Sequence, residues 1–287
     1  MNTVFPAMPT ARFEQPASLS QVTDLLAAGG WAVLAGGTDV YPARVGRAMD
    51  GGWIDITRVP GLRGIRQDEQ GWTFGATTTW TDVLRADLPP LFNALKQAAR
   101  EIGGVQIQNT ATLAGNLCNA SPAADGTPVW MALDAVVVLQ SQEGERRVPV
   151  VDFVLANRRT ALAASEVVVG IHVPPRGDRA RSVFLKLGGR RYLVISMSMV
   201  AVVISVDDAG TVSSVGASVG SCSARAQRLP ALEARLVGQA LASLAHAAIN
   251  DADLAPLSPI DDVRATAAYR RDATATLLRR ALGALSS

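Results

Sequence analysis

The hydrophobic and polar positions near the start of the chain predict a helix followed by two short strands. Apolar residues at 19, 22, 25 and 26 follow helical spacing, with a serine at 18 or 20 as the cap and Gly29-Gly30 as the stop. The apolar run 31–35 and the segment 53–56 (WIDI) are each typical of a buried strand. The chain therefore opens as helix, strand, glycine-containing loop and strand.

The middle of the chain mixes strand and helix patterns without a regular order. Residues 105–129 are polar, show little helical period and are expected to form loops. The remaining patterns predict a strand over 71–80 that enters a turn, helices over 80–86 and 90–102, a hairpin of strands 135–140 and 146–150, and a strand over 165–174.

A polar segment with prolines and glycine, 174–182, indicates a domain boundary. Beyond it the pattern predicts strands over 183–187, 193–206 and 211–219, then helices over 229–237, 239–249 and 263–285. Strands and helices do not alternate as in a doubly wound sheet, so we expect an α+β protein in two lobes.

Composition narrows the class of protein. Of the 287 residues 48% are apolar, and a formal net charge of +2 gives no argument for binding nucleic acid. The start of the chain lacks a signal-peptide pattern, and the longest apolar run, 192–206, is too short for a membrane span. We therefore expect a cytoplasmic protein with no membrane span.

Cysteine and histidine are too sparse for a metal centre. The two cysteines, Cys118 and Cys222, are more than a hundred positions apart, and the two histidines are His172 and His246. No pair has metal-ligand spacing, and no carboxylate pair is spaced as a general acid and base. We predict no metal ligand and no catalytic side chain, so that any chemistry would be that of a cofactor.

Two small-residue loops are the candidates for binding that cofactor. The first, LAGGTDVYP at 34–42, follows a predicted strand, and its amides with the Thr38 hydroxyl could form an anion-binding nest; a simple strand-ending turn is the alternative. The second, TLAGNLCNASPAADGTP at 112–128, concentrates hydroxyl, amide and carboxylate groups. Two such loops suit a ligand with two phosphates.

Three side chains near these loops have two interpretations each. Asp125 could accept from a ribose hydroxyl or cap the helix that follows it. Cys118 could approach the ligand or pack in the core. Lys186, after two apolar residues in a predicted strand, could lie at a flavin pyrimidine edge or be exposed at the strand end.

Both G-x-G-x-x-G and the P-loop motif are missing from the sequence, which argues against a Rossmann NAD site and a nucleotide-hydrolysing loop.

Taken together, these segments resemble the FAD-binding medium subunit of the molybdenum hydroxylases, the xanthine and carbon monoxide dehydrogenase family. The likeness covers nearly the whole chain. It is carried by LAGGTDVYP, by IDITRVPGLRGI at 54–65, by TLAGNLCNASPAADGTPVWMALDA, by KLGGRRYLVIS at 186–196 and by DVRATAAYRRDATATLLRRAL near the C-terminus.

The resemblance implies an α+β fold with a two-subdomain FAD-binding domain of the PCMH type over 1–177, divided near residue 58, and a CO dehydrogenase flavoprotein C-terminal-like domain over 178–287. FAD would bind without a covalent link, its pyrophosphate held by both loops. The residues implied to contact FAD are Val33, Leu34, Ala35, Gly36, Gly37, Thr38, Asp39, Val40, Ile102, Thr112, Gly115, Asn116, Asp125 (on the adenosine side), Val168 and Lys186.

The resemblance also implies partners. A small subunit with two [2Fe-2S] clusters would pass electrons to FAD, a large molybdopterin subunit would hydroxylate the substrate, and the external acceptor would be NAD⁺, oxygen or another oxidant. Ala114 replaces a glycine of the family pattern, and it would add strain of roughly 1 kcal/mol if the position needs a positive φ. The alternatives are a stand-alone flavin oxidoreductase and a non-enzymatic FAD-binding sensor.

Overall fold

A three-stranded parallel sheet and one helix form the N-terminal subdomain. The computed structural model describes residues 11–47 and 49–286. Within them lie β1 (Arg12–Glu14), α1 (Leu19–Ala28), β2 (Trp31–Leu34) and β3 (Gly52–Asp55), with β3 between β1 and β2. The Ser18 side chain caps α1, and Gly29 ends it at a φ of 77°, as the sequence predicted. Val22 and Leu26 pack on Ile54 as a small core.

A five-stranded antiparallel sheet forms the second subdomain. Its strands, in the spatial order β4-β5-β10-β6-β7, are accompanied by the two-stranded ribbon β8-β9. The bounds are β4 (Ile65–Asp68), β5 (Gly71–Gly75), β6 (Val136–Ser141), β7 (Gly144–Pro149), β8 (Val154–Ala156), β9 (Arg159–Thr160) and β10 (Val167–Val173). The predicted hairpin is β6-β7, and the predicted strand over 165–174 is β10.

Six helices cover this sheet and complete its core. They are α2 (Trp80–Arg85), α3 (Asn93–Glu101), α4 (Val105–Thr110), α5 (Leu113–Asn119), α6 (Gly126–Ala132) and α7 (Val150–Phe153). Phe74 of β5 meets the rings of Phe92 and Trp130 edge-on, with both centroid separations 5.2 Å. The prediction that 105–129 forms loops was wrong, because α4 and α5 lie there; α6 is the helix expected after Asp125. Each has six or seven residues, too few turns to show an apolar period, and tertiary packing rather than propensity stabilises them.

The C-terminal domain is a four-stranded antiparallel sheet covered by helices. Its elements are β11 (Arg181–Leu187), β12 (Ser198–Val206), β13 (Val212–Gly220), β14 (Gln227–Arg228), α8 (Pro230–Leu236) and α9 (Ala267–Leu285). Two predicted bounds were wrong: the strand predicted over 193–206 begins at Ser198, and the last helix begins after its cap Thr266 rather than at 263. Of the helix predicted over 239–249, only a 3-10 segment (Leu241–His246) forms.

The strand β12 is buried on both faces, and each face belongs to a different core. Met199, Ala201 and Val203 pack in the core of the five-stranded subdomain. Val200 and Val202 alternate with them and pack against α8 and α9 in the core of the C-terminal domain. This two-sided burial explains why the sequence is a continuous apolar run here rather than an alternating one.

The C-terminal domain is also joined to α6 by close backbone contact and an ionic network. A Cβ on Gly216 would lie 2.0 Å from the carbonyl oxygen of Ala132, so β13 lies directly against that helix end. The ionic network is centred on Asp134, just after α6, whose carboxylate accepts from the guanidinium groups of Arg176 and Arg228. The domains therefore meet without a layer of side chains between them at this point.

The start of α9 is fixed by Asp262, and this contact predicts an acid-sensitive contribution to stability. Hydrogen bonds from the Arg264 amide, then from the Arg270 guanidinium at 2.7 Å, lower the pKa of Asp262 from 3.8 to about 2. A carboxylate with a lowered folded-state pKa stabilises the fold above its unfolded pKa, and that contribution is lost as pH falls through about 2. We expect Asp262→Asn to lower the melting temperature at neutral pH.

The difference in melting temperature between Asp262→Asn and wild type should shrink as pH falls below about 4. Thermal melts across this range measure it. The control is Asp272→Asn, which changes an exposed carboxylate of α9 and should give a difference that does not depend on pH in this way. A constant difference for Asp262→Asn would contradict the expectation.

Residues 11–47 and 49–286 contain neither a membrane-spanning helix nor a cluster of metal-ligand side chains. No helix there combines the length and apolar character needed to cross a membrane. No group of three or more histidine, cysteine, aspartate or glutamate side chains there has the arrangement of a metal site.

Candidate functional site

A cleft of about 610 Å³ lies between the three-stranded and five-stranded subdomains. One wall is the end of β2 with the loop that follows it, from Ala35 to Val40. The other wall is built from α4, α5 and the loop Ala111-Thr112 between them. The two loops predicted from the sequence, 34–42 and 112–128, therefore face the same cavity although they are far apart in the chain.

The first loop touches, through its backbone, the end of α4 just before the second loop begins. A Cβ on Gly36 would lie 2.1 Å from the carbonyl oxygen of Thr110, so only glycine permits this approach. Gly37 has a φ of 67°, and its carbonyl accepts from the Tyr41 amide at 3.0 Å. Within the described part of the chain, the amides of Gly36, Gly37 and Thr38 donate to no acceptor. These three N–H groups are therefore free to donate to an anionic ligand, as an anion-binding nest requires.

The second loop is the capped start of α5. The Thr112 hydroxyl accepts from the Gly115 amide at 3.0 Å, and a Cβ on Gly115 would lie 2.8 Å from that hydroxyl. Ala114 is buried in the first turn of this helix and has no positive φ, so the expected strain does not arise. The Asn116 Oδ1 atom, in the same wall, is buried and has no hydrogen-bond partner in the described structure.

The cleft carries no positive side chain. Among the described residues that line it there is no lysine or arginine, and the charged groups are Asp39 and Glu166. Burial raises the pKa of the Cys118 thiol in the cleft wall to about 12, so this group is neutral at physiological pH. A dinucleotide in this cleft would thus have its diphosphate neutralised by main-chain amides and hydroxyls.

Most of the residues implied to contact FAD line this one cleft. They are Val33, Ala35, Gly36, Gly37, Thr38, Asp39, Val40, Ile102, Thr112, Gly115, Asn116 and Val168. Three others are not brought to its wall: Leu34 is buried in β2, and Asp125 and Lys186 are buried against each other. Cys118, for which two interpretations were open, lies in the wall.

Asp125 and Lys186 form a buried ion pair where β11 meets α6. The Lys186 Nζ donates to Asp125 Oδ2 at 2.6 Å, and the Ser196 hydroxyl donates to Oδ1 at 2.7 Å. Desolvation raises the pKa of Asp125, and the charge of Lys186 opposes this shift. The interpretation of Lys186 as exposed was wrong. Asp125 stands at the N-cap position of α6, but its side chain makes no capping hydrogen bond.

The sequence reasoning missed one wall of the cleft, the segment that leads into β10. Thr160, Leu162, Ala163, Ala164, Glu166 and Val167 all line the cavity. Apart from Thr160 and Glu166, these side chains are small or apolar and carry no binding signature. Only their position before a predicted strand that already included Val168 could have suggested them.

A second cavity, of about 440 Å³, lies on the far side of the Asp125 pair. Ser196 lines it together with Ser121, Ser221, Asp262, Arg264 and Arg270. The Arg270 guanidinium is held by Asp262 and by the carbonyl oxygens of Met197 and Ser221. The first cavity therefore holds the glycine loops, and the second is bordered by the C-terminal domain.

The first cleft fits FAD on its own geometry. Two glycine positions where a Cβ would collide form a cradle, unpartnered amides face it, and the orphaned Asn116 oxygen can accept from a ligand hydroxyl. Apolar residues such as Trp31 and Ile102 supply surfaces for flat ring systems. The fold and the site together define a flavoprotein of two subdomains followed by a separate C-terminal domain.

Comparison with known proteins gives the same result. The FAD-binding domain of molybdopterin dehydrogenases matches residues 9–176, and the C-terminal domain of CO dehydrogenase flavoproteins matches residues 183–285. The chain therefore belongs to the family of FAD-binding medium subunits of molybdenum hydroxylases, as the sequence resemblance indicated, and it is an oxidoreductase component.

Individual relatives cover nearly the whole chain. It is 30% identical to the 6-hydroxypseudooxynicotine dehydrogenase complex subunit alpha of Paenarthrobacter nicotinovorans, over 92% of this chain and 90% of the relative. It is 30% identical to the carbon monoxide dehydrogenase medium chain of Hydrogenophaga pseudoflava, over 96% and 97%. The solved carbon monoxide dehydrogenase from that organism, which lacks the Mo-pyranopterin moiety, superposes with a TM-score of 0.85 over 96% of this chain and 97% of that one.

Proposed function

We propose that this chain holds FAD in the first cleft and serves as the electron-transfer subunit of its complex. It receives electrons from the [2Fe-2S] clusters of a small partner subunit and delivers them to an external acceptor such as NAD⁺ or oxygen. Substrate hydroxylation then takes place on a large molybdopterin subunit. When bound, FAD would supply the redox chemistry, accepting electrons from the clusters and passing them to the external acceptor.

The approach of the two loops is the observation that carries the proposal. Gly36 rests on the backbone of Thr110, which brings the amides of 36–38 beside Thr112 and Gly115. These groups can bind the diphosphate without a basic side chain. Asn116 and Thr38 can orient the ligand by hydrogen bonds, and the apolar wall excludes water from the rings.

The absence of acid–base chemistry in the cleft supports electron transfer rather than substrate turnover. Its lining residues, all of them in the described part of the chain, include no histidine or lysine. Of its two carboxylates, that of Glu166 is already occupied by Arg146, and that of Asp39 is exposed on the first glycine loop. A stand-alone flavin oxidoreductase would need a group that moves a substrate proton. A division of labour in which another subunit performs the hydroxylation does not need one here.

Reconstitution of the purified full-length chain tests the proposal. Adding FAD to the apoprotein should restore flavin absorption at one FAD per chain, and mixing with the reduced cluster-bearing subunit should bleach that absorption. No bound flavin would refute the assignment of the cleft. Bound flavin that the cluster subunit cannot reduce would favour a sensor, and turnover of a substrate by the isolated chain would favour a stand-alone oxidoreductase.

A further inference from the structure

The ion pair between Arg146 and Glu166 lies at the cleft wall and plays no part in the arrangement of the two glycine loops described above. Glu166 lines the cleft, and its two carboxylate oxygens each accept at 2.7 Å from the Arg146 guanidinium, which reaches it from β7. The geometry is the bidentate arrangement that makes arginine–carboxylate pairs specific. The Glu166 side chain is 10% exposed, whereas that of Arg146 is 46% exposed.

The pair determines the shape of the segment that the sequence reasoning missed. The Glu166 Oε2 atom also accepts from the Ala163 amide at 2.8 Å, and the Glu166 amide donates to the Ala163 carbonyl at 3.1 Å. Arg146 donates in addition to the Ala161 carbonyl at 2.9 Å. Both ends of the stretch 161–166 are thus fixed to one guanidinium. The backbone between these two ends, which forms part of the cleft wall, is therefore held in place by Arg146 and Glu166.

The ion pair also neutralises a negative charge that would otherwise weaken the binding of a diphosphate. A carboxylate in the wall of a site for a diphosphate would repel the ligand if it were unpaired. The Arg146 hydrogen bonds and charge lower the pKa of Glu166, so the carboxylate stays ionised and paired rather than protonated. Arg146 therefore both shapes the wall and neutralises it.

The position of the segment assigns it to the adenosine half of the cleft. Val167 packs with Leu26 and Trp31 in the closed N-terminal core, so the segment lies on the side of α1 and the start of β2. Trp31, the first residue of β2, precedes Gly36 by five residues, or about 16 Å at a rise of about 3.3 Å per residue, so this side of the cleft leaves room for a nucleoside beyond the glycine loop. The side of α4 is open instead, with Ile107 exposed, and suits the ring that must exchange electrons.

We propose that Arg146 and Glu166 are positioning residues for the adenosine half of FAD: together they hold segment 160–164 as the main-chain wall against which the base binds. The inference rests on the proposed binding of FAD in this cleft. It predicts that the pair controls affinity for any ligand with an adenosine diphosphate moiety, and that the flavin ring is not needed for the effect.

The experiment measures dissociation constants for FAD and for ADP on the full-length apoprotein, by flavin fluorescence and by calorimetry. In Arg146→Met the unpaired Glu166 carboxylate repels the diphosphate and the wall loosens, so both dissociation constants should rise by about tenfold or more. In Glu166→Gln and in the double variant Arg146→Met/Glu166→Gln, the repulsion is absent. Both should bind more tightly than Arg146→Met alone.

The adjacent ion pair of the same hairpin is a matched control. Arg147 and Glu145 lie 2.8 Å apart, both about half exposed, and neither lines the cleft. Arg147→Met removes the same charge from the same strand, and it should leave both constants unchanged. Melting temperatures of the apoproteins separate a folding defect from a binding defect, and Arg146→Lys, which keeps the charge, provides a variant expected to remain folded.

The dissociation constants of these variants decide whether the ion pair positions the adenosine half of FAD. Equal losses of FAD and ADP affinity in Arg146→Met, with recovery in the double variant, would support the proposal. A loss for FAD alone, wild-type failure to bind ADP, or unchanged constants in Arg146→Met and Arg146→Lys would overturn it. If the wild-type chain binds no FAD at all, the proposed function itself fails, and this result is distinct from the others.

Discussion

Replacing Gly36 with alanine is expected to abolish FAD binding at cofactor concentrations that saturate the wild type. The new methyl group would lie 2.1 Å from the Thr110 carbonyl oxygen and 2.8 Å from the Thr110 carbonyl carbon, and both are backbone atoms that cannot rotate away. The two loops must move apart, and the diphosphate loses one of its two sets of donors. We expect the dissociation constant for FAD to rise by about a hundredfold or more.

Titration of the apoprotein with FAD measures this effect. The control is Gly283→Ala, because a Cβ there meets nothing within 4 Å and the residue lies within α9. It should bind FAD as the wild type does. Retained affinity in Gly36→Ala would mean that the diphosphate does not lie between these loops.

The second large effect is expected from Lys186→Met. The substitution leaves the Asp125 carboxylate buried with Ser196 as its one remaining side-chain partner. Removing one partner of a buried ion pair costs about 3–5 kcal/mol of unfolding free energy, because the other charge is left uncompensated. Denaturant unfolding of the apoprotein would measure this loss.

A second substitution should reverse much of that loss. In Lys186→Met/Asp125→Asn no charge is buried, so the double variant should be more stable than Lys186→Met alone. Lys96→Met is the comparison for loss of a lysine, because Lys96 donates to the Ala86 carbonyl and neutralises no carboxylate. A loss in Lys186→Met no larger than that in Lys96→Met would show that the pair is not needed for the fold.

The sequence predicted the parts of the fold whose patterns are local. The helix Leu19–Ala28 begins and ends where Ser18 and Gly29 place it, and the β6-β7 hairpin forms where two strands joined as a hairpin were predicted. The short helices α4 and α5 were missed because helices of six or seven residues depend on tertiary contacts, whereas α6 is the helix that one interpretation of Asp125 predicted. The strand β12 was extended too far toward its start because apolar residues near 193–195 belong to a loop.

The site divides in the same way. The glycine loops were identifiable because a nest and a close backbone approach require particular residues, of which Gly36 is the clearest. The segment 160–164 could not be identified, because a wall made of backbone leaves no side-chain signature. Asp125 and Lys186 were singled out separately, and only the fold shows that they neutralise each other.

The two-sided burial of β12 has a mechanical consequence. Since alternate residues of one strand belong to the cores of both lobes, neither lobe can lose that strand and keep its own interior. The five-stranded subdomain and the C-terminal domain are therefore expected to move as one unit. A displacement of α9 would be transmitted through Val200 and Met199 to the subdomain that carries the second glycine loop. The close packing of both cores would allow little deformation between the two.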